Sequence, residues 1–131
     1  MATLVNPAQT KAIIQRILEA ALADTAGELA ARFRELIESP VFEWPGQTIR
    51  RSGEVAGSPR NIVDLGNLRD SQRTVKVNAA VFEFIWSVQY AAYVFYGYTT
   101  LAGNSYPGRD WVSPVAREAL GLFATEVRKR V

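Results

Sequence analysis

The sequence predicts an α+β domain, and three observations predict it. A long opening stretch carries helical apolar spacing, two short central segments alternate with period two, and a Ser-Pro pair opens a second amphipathic stretch near the end. A chain of 131 residues fits one domain and can bury about two thirds of its unfolded surface. Charged residues at 21% and hydrophobic residues at 48% exclude global disorder.

The first helix has a written start. In NPAQ, Asn6 is a cap, Pro7 suits the first helical position, and Gln9 completes a capping-box pattern. Ile14, Leu18, Ala21, Leu22, Leu29, Phe33 and Leu36 share one face, which carries the helix over 7–39, with a bend or break allowed at Gly27 and an end at Ser39-Pro40. Residues 40–60 change character: three prolines, three glycines and scattered charges read as a projecting arm or long loop, with a possible edge strand over Gln47 to Ser52. Lacking apolar periodicity, the arm is expected to be mobile in a free monomer and ordered against a neighbour. A motif-bearing part, 61–131, follows.

In SQRTVKV and VFEFIWSV, Val75 and Val77, then Phe82, Phe84, Trp86 and Val88, alternate as a hairpin turning at Asn78 with Ala79 or Ala80. The second strand is apolar on most of both faces and is expected to be central or doubly covered. A short helix is expected from Gln89 to Tyr96, capped by Gly97, followed by a loop. Ser113 as cap, Pro114 as first residue, and Val115, Ala119, Leu122 and Phe123 on one face predict the C-terminal helix, with Arg128, Lys129 and Arg130 favouring its dipole.

Chemistry is sparse. With no histidine and no cysteine, the usual general base, thiolate nucleophile and soft-metal ligands are missing, and Lys11, Lys76 and Lys129 fall on polar faces. The closest acid pair, Asp64 and Asp70, has unremarkable spacing, and DLGNLRDS has no Lys-Ser/Thr sequel to its glycine. The expectation is no enzyme, no metal and no cofactor. The start MATLVNPAQTK lacks a basic region followed by an apolar one, and the uncharged run after Phe84 is too polar to span a bilayer, so no membrane association is expected. A net charge of +2 is weak evidence for a polyanionic partner, although Arg50, Arg51 and Arg60 make the arm locally basic, as a solvated loop or as a contact for phosphate.

The stretch QYAAYVFYGYTT holds four of the five tyrosines without one charge. Either these rings line the domain's own core, or the face bearing Tyr93, Tyr96 and Tyr98 meets another subunit, since the phenol buries apolar area while its hydroxyl stays wet. Tyr90 and Val94 would continue the inward face.

The succession DLGNLRDS, a hairpin, YAAYVFYG and YPGRDWVSPVARE resembles the tail-completion, or head-tail joining, family of tailed bacteriophages over Ile62 to Arg130, just over half the chain. Asp64, Gly66, Leu68, Arg69 and Ser71 match the first motif, with Leu65 where Thr is usual. Tyr90, Ala91, Val94 and Gly97 match the second, with Phe95 in place of Glu. Arg109, Trp111, Pro114 and Ala116 match the third, which Asp110 interrupts where Pro is common. Asp64 would cap a short helix, and Trp111 would sit beneath the terminal helix.

The resemblance implies a structural virion protein of the neck or upper tail, made in the host cytoplasm. It would form a homo-oligomeric ring, six-fold, that joins the head connector to the tail, with connector, stopper or tail-terminator proteins as neighbours and packaged DNA passing through a channel that Arg50, Arg51 and Arg60 would face. A second reading is a nucleic-acid-binding module using Arg50, Arg51, Arg60, Arg69 and Arg73 with tyrosine stacking. A third is a minor enzyme or an assembly chaperone. Salt-dependent DNA affinity of the monomer would favour the module, and a closed oligomer the ring.

Overall fold

Asn6 starts the first helix as its side chain allows: Oδ1 accepts from the amides of Ala8 at 3.0 Å and Gln9 at 3.2 Å, and Pro7 takes the first turn. The computed structural model describes residues 6–63 and 66–131. Helix α1 (Pro7–Glu38) runs unbroken through Gly27, where its neighbours' side chains carry the helical preference that one glycine lacks.

The architecture is α+β. After α1 come β1 (Thr48–Ile49), β2 (Val55–Ala56), α2 (Asn67–Asp70), β3 (Gln72–Asn78), β4 (Val81–Trp86), α3 (Ala91–Tyr96), β5 (Gly97–Thr99), β6 (Ser105–Pro107), α4 (Ser113–Ala116) and α5 (Ala119–Arg128). The strands pair as three antiparallel hairpins, β1–β2, β3–β4 and β5–β6. The second strand of the main hairpin is therefore not central. It pairs with β3 alone, and its apolar residues are covered by helices and loops rather than by further strands.

The β3–β4 turn needs no glycine because Asn78 Oδ1 accepts from the Ala80 amide at 2.8 Å and the register shifts between Lys76 and Asn78. The segment expected to be a loop after α3 is the β5–β6 hairpin, in which Tyr98 faces Tyr106 and the Thr99 and Ser105 hydroxyls meet at 3.0 Å. The expected single C-terminal helix is two, α4 and α5. Asp110, rather than Ser113, does the capping, with Oδ1 accepting from the Val112 and Ser113 amides at 2.8 Å each. Burial opposes ionisation of Asp110, but the bonds from Ser113 and Val112, and Arg117 nearby, hold its carboxyl below its ordinary range.

The core forms where the C-terminal half of α1 meets everything else. Leu29, Phe33 and Ile37 pack with Ile62, Leu68, Trp111 and Val115, and Phe84, Trp86, Val94, Phe95 and Leu122 close around them. Each fully buried large side chain contributes about 1.5–3 kcal/mol. Gln72 bolts the hairpin to the helix, donating to the Ala30 carbonyl at 2.7 Å and accepting from Trp86 Nε1 at 3.1 Å. The N-terminal half of α1 is uncovered: Ile13, Ile14 and Leu18 are exposed, and a groove runs between that half, Ala79, Ala80 and Phe123.

Residues 40–60 do not project as an unsupported arm. Phe42 and Arg60 exchange backbone hydrogen bonds at 2.9 and 2.7 Å, the Trp44 amide donates to Ser58 Oγ at 2.9 Å, and the Ile62 amide reaches the Ile37 carbonyl at 3.0 Å. The loop is closed on itself within the monomer, because polar side chains supply the cohesion that its apolar residues lack.

An ionic clasp joins α1 to α5. Glu126, 4% exposed, accepts from Lys129 Nζ and Arg130 Nη1 at 2.9 Å each, and Arg130 also pairs with Asp24 of α1. Hydrogen bonds from Arg130 above all, then from Glu28 and Lys129, pull the Glu126 carboxyl from 4.5 to about 2, while the bond to Glu126 and burial push Glu28 upward. A depressed carboxyl stabilises the fold above its unfolded pKa and loses that contribution as pH falls through the folded value. Acid unfolding should therefore draw on Glu126 between about pH 4.5 and 2. Glu126→Gln should lower stability at neutral pH and flatten the dependence in that window, measured as urea midpoint against pH.

Candidate functional site

The three motif-bearing segments come together on one side of the core. Leu68 of α2 and Trp111 are both buried there, and Trp111 lies edge-on to Trp86 at 5.4 Å and to Phe95 at 5.5 Å. Gly97 ends α3 with φ 81° and ψ 175° and lies against the Tyr106–Gly108 backbone, while the Arg109 amide donates to the Val94 carbonyl at 2.8 Å. Asp64 lies outside the described residues. The N-cap position of α2 falls to Gly66, with φ 81° and no side-chain bond. Arg69 folds over Gly66 and pairs with Asp70 at 3.0 Å and Glu38 at 3.6 Å. Ser71 Oγ donates to the Leu68 carbonyl at 2.8 Å. Ala91 is half-buried against the core, while Pro114 and Ala116 are exposed on α4.

The tyrosines divide. Tyr93 is 62% exposed and Tyr96 78%. Tyr98 instead tilts against Tyr106 at 5.1 Å and, with Tyr90, borders a cavity. Tyr90 thus does not continue the inward face; Val94 does, packed on the core.

That cavity, about 380 Å³, holds Arg50, Arg60 and Arg109 together with Trp44. Arg60 is 7% exposed, so it does not face a channel from the monomer surface. Its Nε donates to the Gly57 carbonyl at 2.7 Å, Nη1 to Thr48 Oγ1 at 2.7 Å, and Nη2 to the Ala56 carbonyl at 2.7 Å and the Gly46 carbonyl at 3.4 Å. Desolvation and then Arg50 lower its pKa. Arg50, half-buried, donates to Asn61 Oδ1 at 2.7 Å, the Asn61 carbonyl at 3.0 Å and the Val63 carbonyl. Arg51 is exposed. Arg109 lies over the Trp44 ring at 4.4 Å and Arg60 near the same ring at 5.0 Å, while Tyr106 stacks on Trp44 at 5.2 Å.

Trp44 and Asn61 are the site residues that sequence reading missed. No local pattern announces them, since their role arises only when the closed loop folds onto β6. No family model, no curated protein and no solved structure matches the chain. Among the described residues no helix is long and apolar enough to cross a membrane.

Proposed function

We propose that this chain is a structural virion protein of a tailed bacteriophage, a neck or tail-completion component that assembles as a ring, six-fold as in the family it resembles, around the DNA channel between head and tail. The observation that carries the reading is a charge-free aromatic surface: Tyr93 and Tyr96 stand exposed on α3, a helix without a single ionisable acid or base beyond its phenols, with Leu101 fully exposed on the adjoining hairpin. The uncovered apolar half of α1 is a separate surface, and head-to-tail contacts that close a ring use two different patches on each subunit. The union of the three motif segments around Trp111 supports the same reading. A nucleic-acid stripe of Arg50, Arg51, Arg60, Arg69 and Arg73 is less favoured, because Arg60 is enclosed and Arg69 is paired with acids.

The test separates association from folding. Tyr93→Ala and Tyr96→Ala should each weaken assembly by on the order of 2 kcal/mol if they are central interface residues, yet move the monomer's denaturation midpoint by less than about 0.5 kcal/mol equivalent. Sedimentation velocity and electron microscopy of the purified protein read the ring; unfolding reads the monomer. A large midpoint shift with unchanged assembly would assign both rings to the fold and remove the interface.

A further inference from the structure

We propose that the cavity between the closed loop and the β5–β6 hairpin is an oxyanion site that takes a phosphate group, with Arg109 as its principal ligand and Arg50 and Arg60 supplying the surrounding positive field. The inference rests on this cavity alone, so a monomer that binds phosphate satisfies it whether or not a ring forms.

Four arginines, Arg50, Arg51, Arg60 and Arg109, line the cavity, and no carboxylate lines it among the described residues. Among the described residues, Arg50, Arg60 and Arg109 make no ion pair there. Like charges gathered in a partly desolvated space repel strongly, and such a cluster is stable when an anion completes it. Arg60 and Arg50 are largely occupied by neutral carbonyl, amide and hydroxyl oxygens, which fix their positions without cancelling their charge.

Arg109 differs. A guanidinium has five N–H donors, and no side-chain hydrogen bond from Arg109 is present among the described residues. Its Nε is fully buried without an acceptor. The Trp44 face at 4.4 Å attracts the cation but accepts no strong hydrogen bond. Burial first, and then the neighbouring Arg60, draw its pKa down to about 10, as expected of a cation whose counter-charge is missing.

A tetrahedral phosphate matches this set better than a carboxylate does. It presents several acceptor oxygens to donors arriving from different directions, it carries up to two charges near neutral pH, and the guanidinium fork binds it through two parallel bonds. The phenols of Tyr90 and Tyr98 border the same space and offer neutral donors. The group could belong to a small phosphate or to a nucleic-acid strand, and the experiment distinguishes the two.

Thermal unfolding of the full chain is followed in phosphate-free buffer, then with inorganic phosphate, pyrophosphate, or a short single-stranded oligonucleotide, each against chloride at equal ionic strength. A ligand that binds only the folded state raises the midpoint in proportion to the logarithm of its excess over Kd. The expected result is a saturable rise that Arg109→Gln weakens by at least about tenfold in affinity. Arg109→Lys should retain part of it, and serves as the variant if Arg109→Gln does not fold. A response to inorganic phosphate or pyrophosphate identifies a small-molecule source; an Arg109-dependent response to the oligonucleotide alone identifies a strand. Asp64→Asn, run in parallel, should bind at least as tightly as the parent chain. The proposal is overturned if no phosphate species gives a saturable shift, if the shift survives in folded Arg109→Gln, if acetate gives an equal one, or if only Asp64→Asn responds, which would make Asp64 the resident anion.

Discussion

Phe33→Ala should lower stability by about 3–5 kcal/mol, the largest loss available from a single truncation in α1. Phe33 is 3% exposed, and its ring meets Phe84 at 5.0 Å and Trp86 at 5.2 Å, both edge-on. Removing it deletes a large apolar group and two aromatic contacts, each worth about 0.5–1.5 kcal/mol beyond area. The space left lies between a helix and a hairpin that Gln72 holds at fixed separation, so the walls cannot collapse to fill it. In a chain of this size the loss should move the thermal midpoint downward by roughly 10–20 °C, measured by calorimetry with Tyr96→Ala as the surface control. A loss below about 1 kcal/mol would mean that the hairpin does not depend on α1 for its packing.

Phe33 also shows what the sequence made legible. Its helical spacing with Leu29 and Leu36 put it on the inner face of α1, and the alternation of Phe82, Phe84 and Trp86 marked the strand that meets it. Long elements with a sustained period, and a cap written in NPAQ, survive translation into structure because local geometry and burial agree. The β5–β6 hairpin was illegible for the opposite reason. Each strand is three residues long, too short for period two to separate from chance, and its pairing is secured by Tyr98 against Tyr106 across seven intervening positions. The C-terminal break was equally hidden, since Ser113-Pro114 is a sound helix start whose cap comes from Asp110.

The closed loop is the more instructive miss. Apolar periodicity is blind to a segment held by one guanidinium, and Arg60 ties Gly46, Thr48, Ala56 and Gly57 together. Basic composition drew attention to Arg50 and Arg60, but it suggested exposure where Arg60 is buried. Arg109 entered through the resemblance, and nothing in a linear sequence relates it to Trp44, from which 64 positions separate it in the chain and 4.4 Å in space. Sites built by loop closure across such separations become visible only when the fold brings them together.

Gly97→Ala should be as damaging as the loss of a core side chain, although it adds only one methyl group. At φ 81° and ψ 175° Gly97 occupies a region essentially reserved for glycine, and entry of another residue costs about 1–3 kcal/mol. A Cβ there would lie 2.5 Å from the Tyr106 carbonyl oxygen, 2.6 Å from the Gly108 amide nitrogen and 2.9 Å from the Pro107 carbonyl carbon. All three are backbone atoms, so no rotamer change relieves the overlap, and overpacking adds about 1–3 kcal/mol more. The facing position is equally tight, because a Cβ at Gly108 would come within 2.4 Å of the Phe95 carbonyl oxygen. The internal control is Gly27→Ala, in a helix with nothing within 4 Å of the new methyl group, which should raise stability by about 0.5–1 kcal/mol. Opposite signs from one chemical change would place the effect in backbone apposition rather than in glycine's chain entropy. The consequence reaches the cavity, since the Arg109 amide is seated on the Val94 carbonyl one residue beyond Gly108. Displacing β6 from α3 therefore displaces Arg109 from Trp44, and in Gly97→Ala protein that remains folded, phosphate affinity should fall together with the urea midpoint. Retention of the parent midpoint would show that the Gly97 and Gly108 backbones are free to separate, and would detach the α3–β6 contact from the position of Arg109.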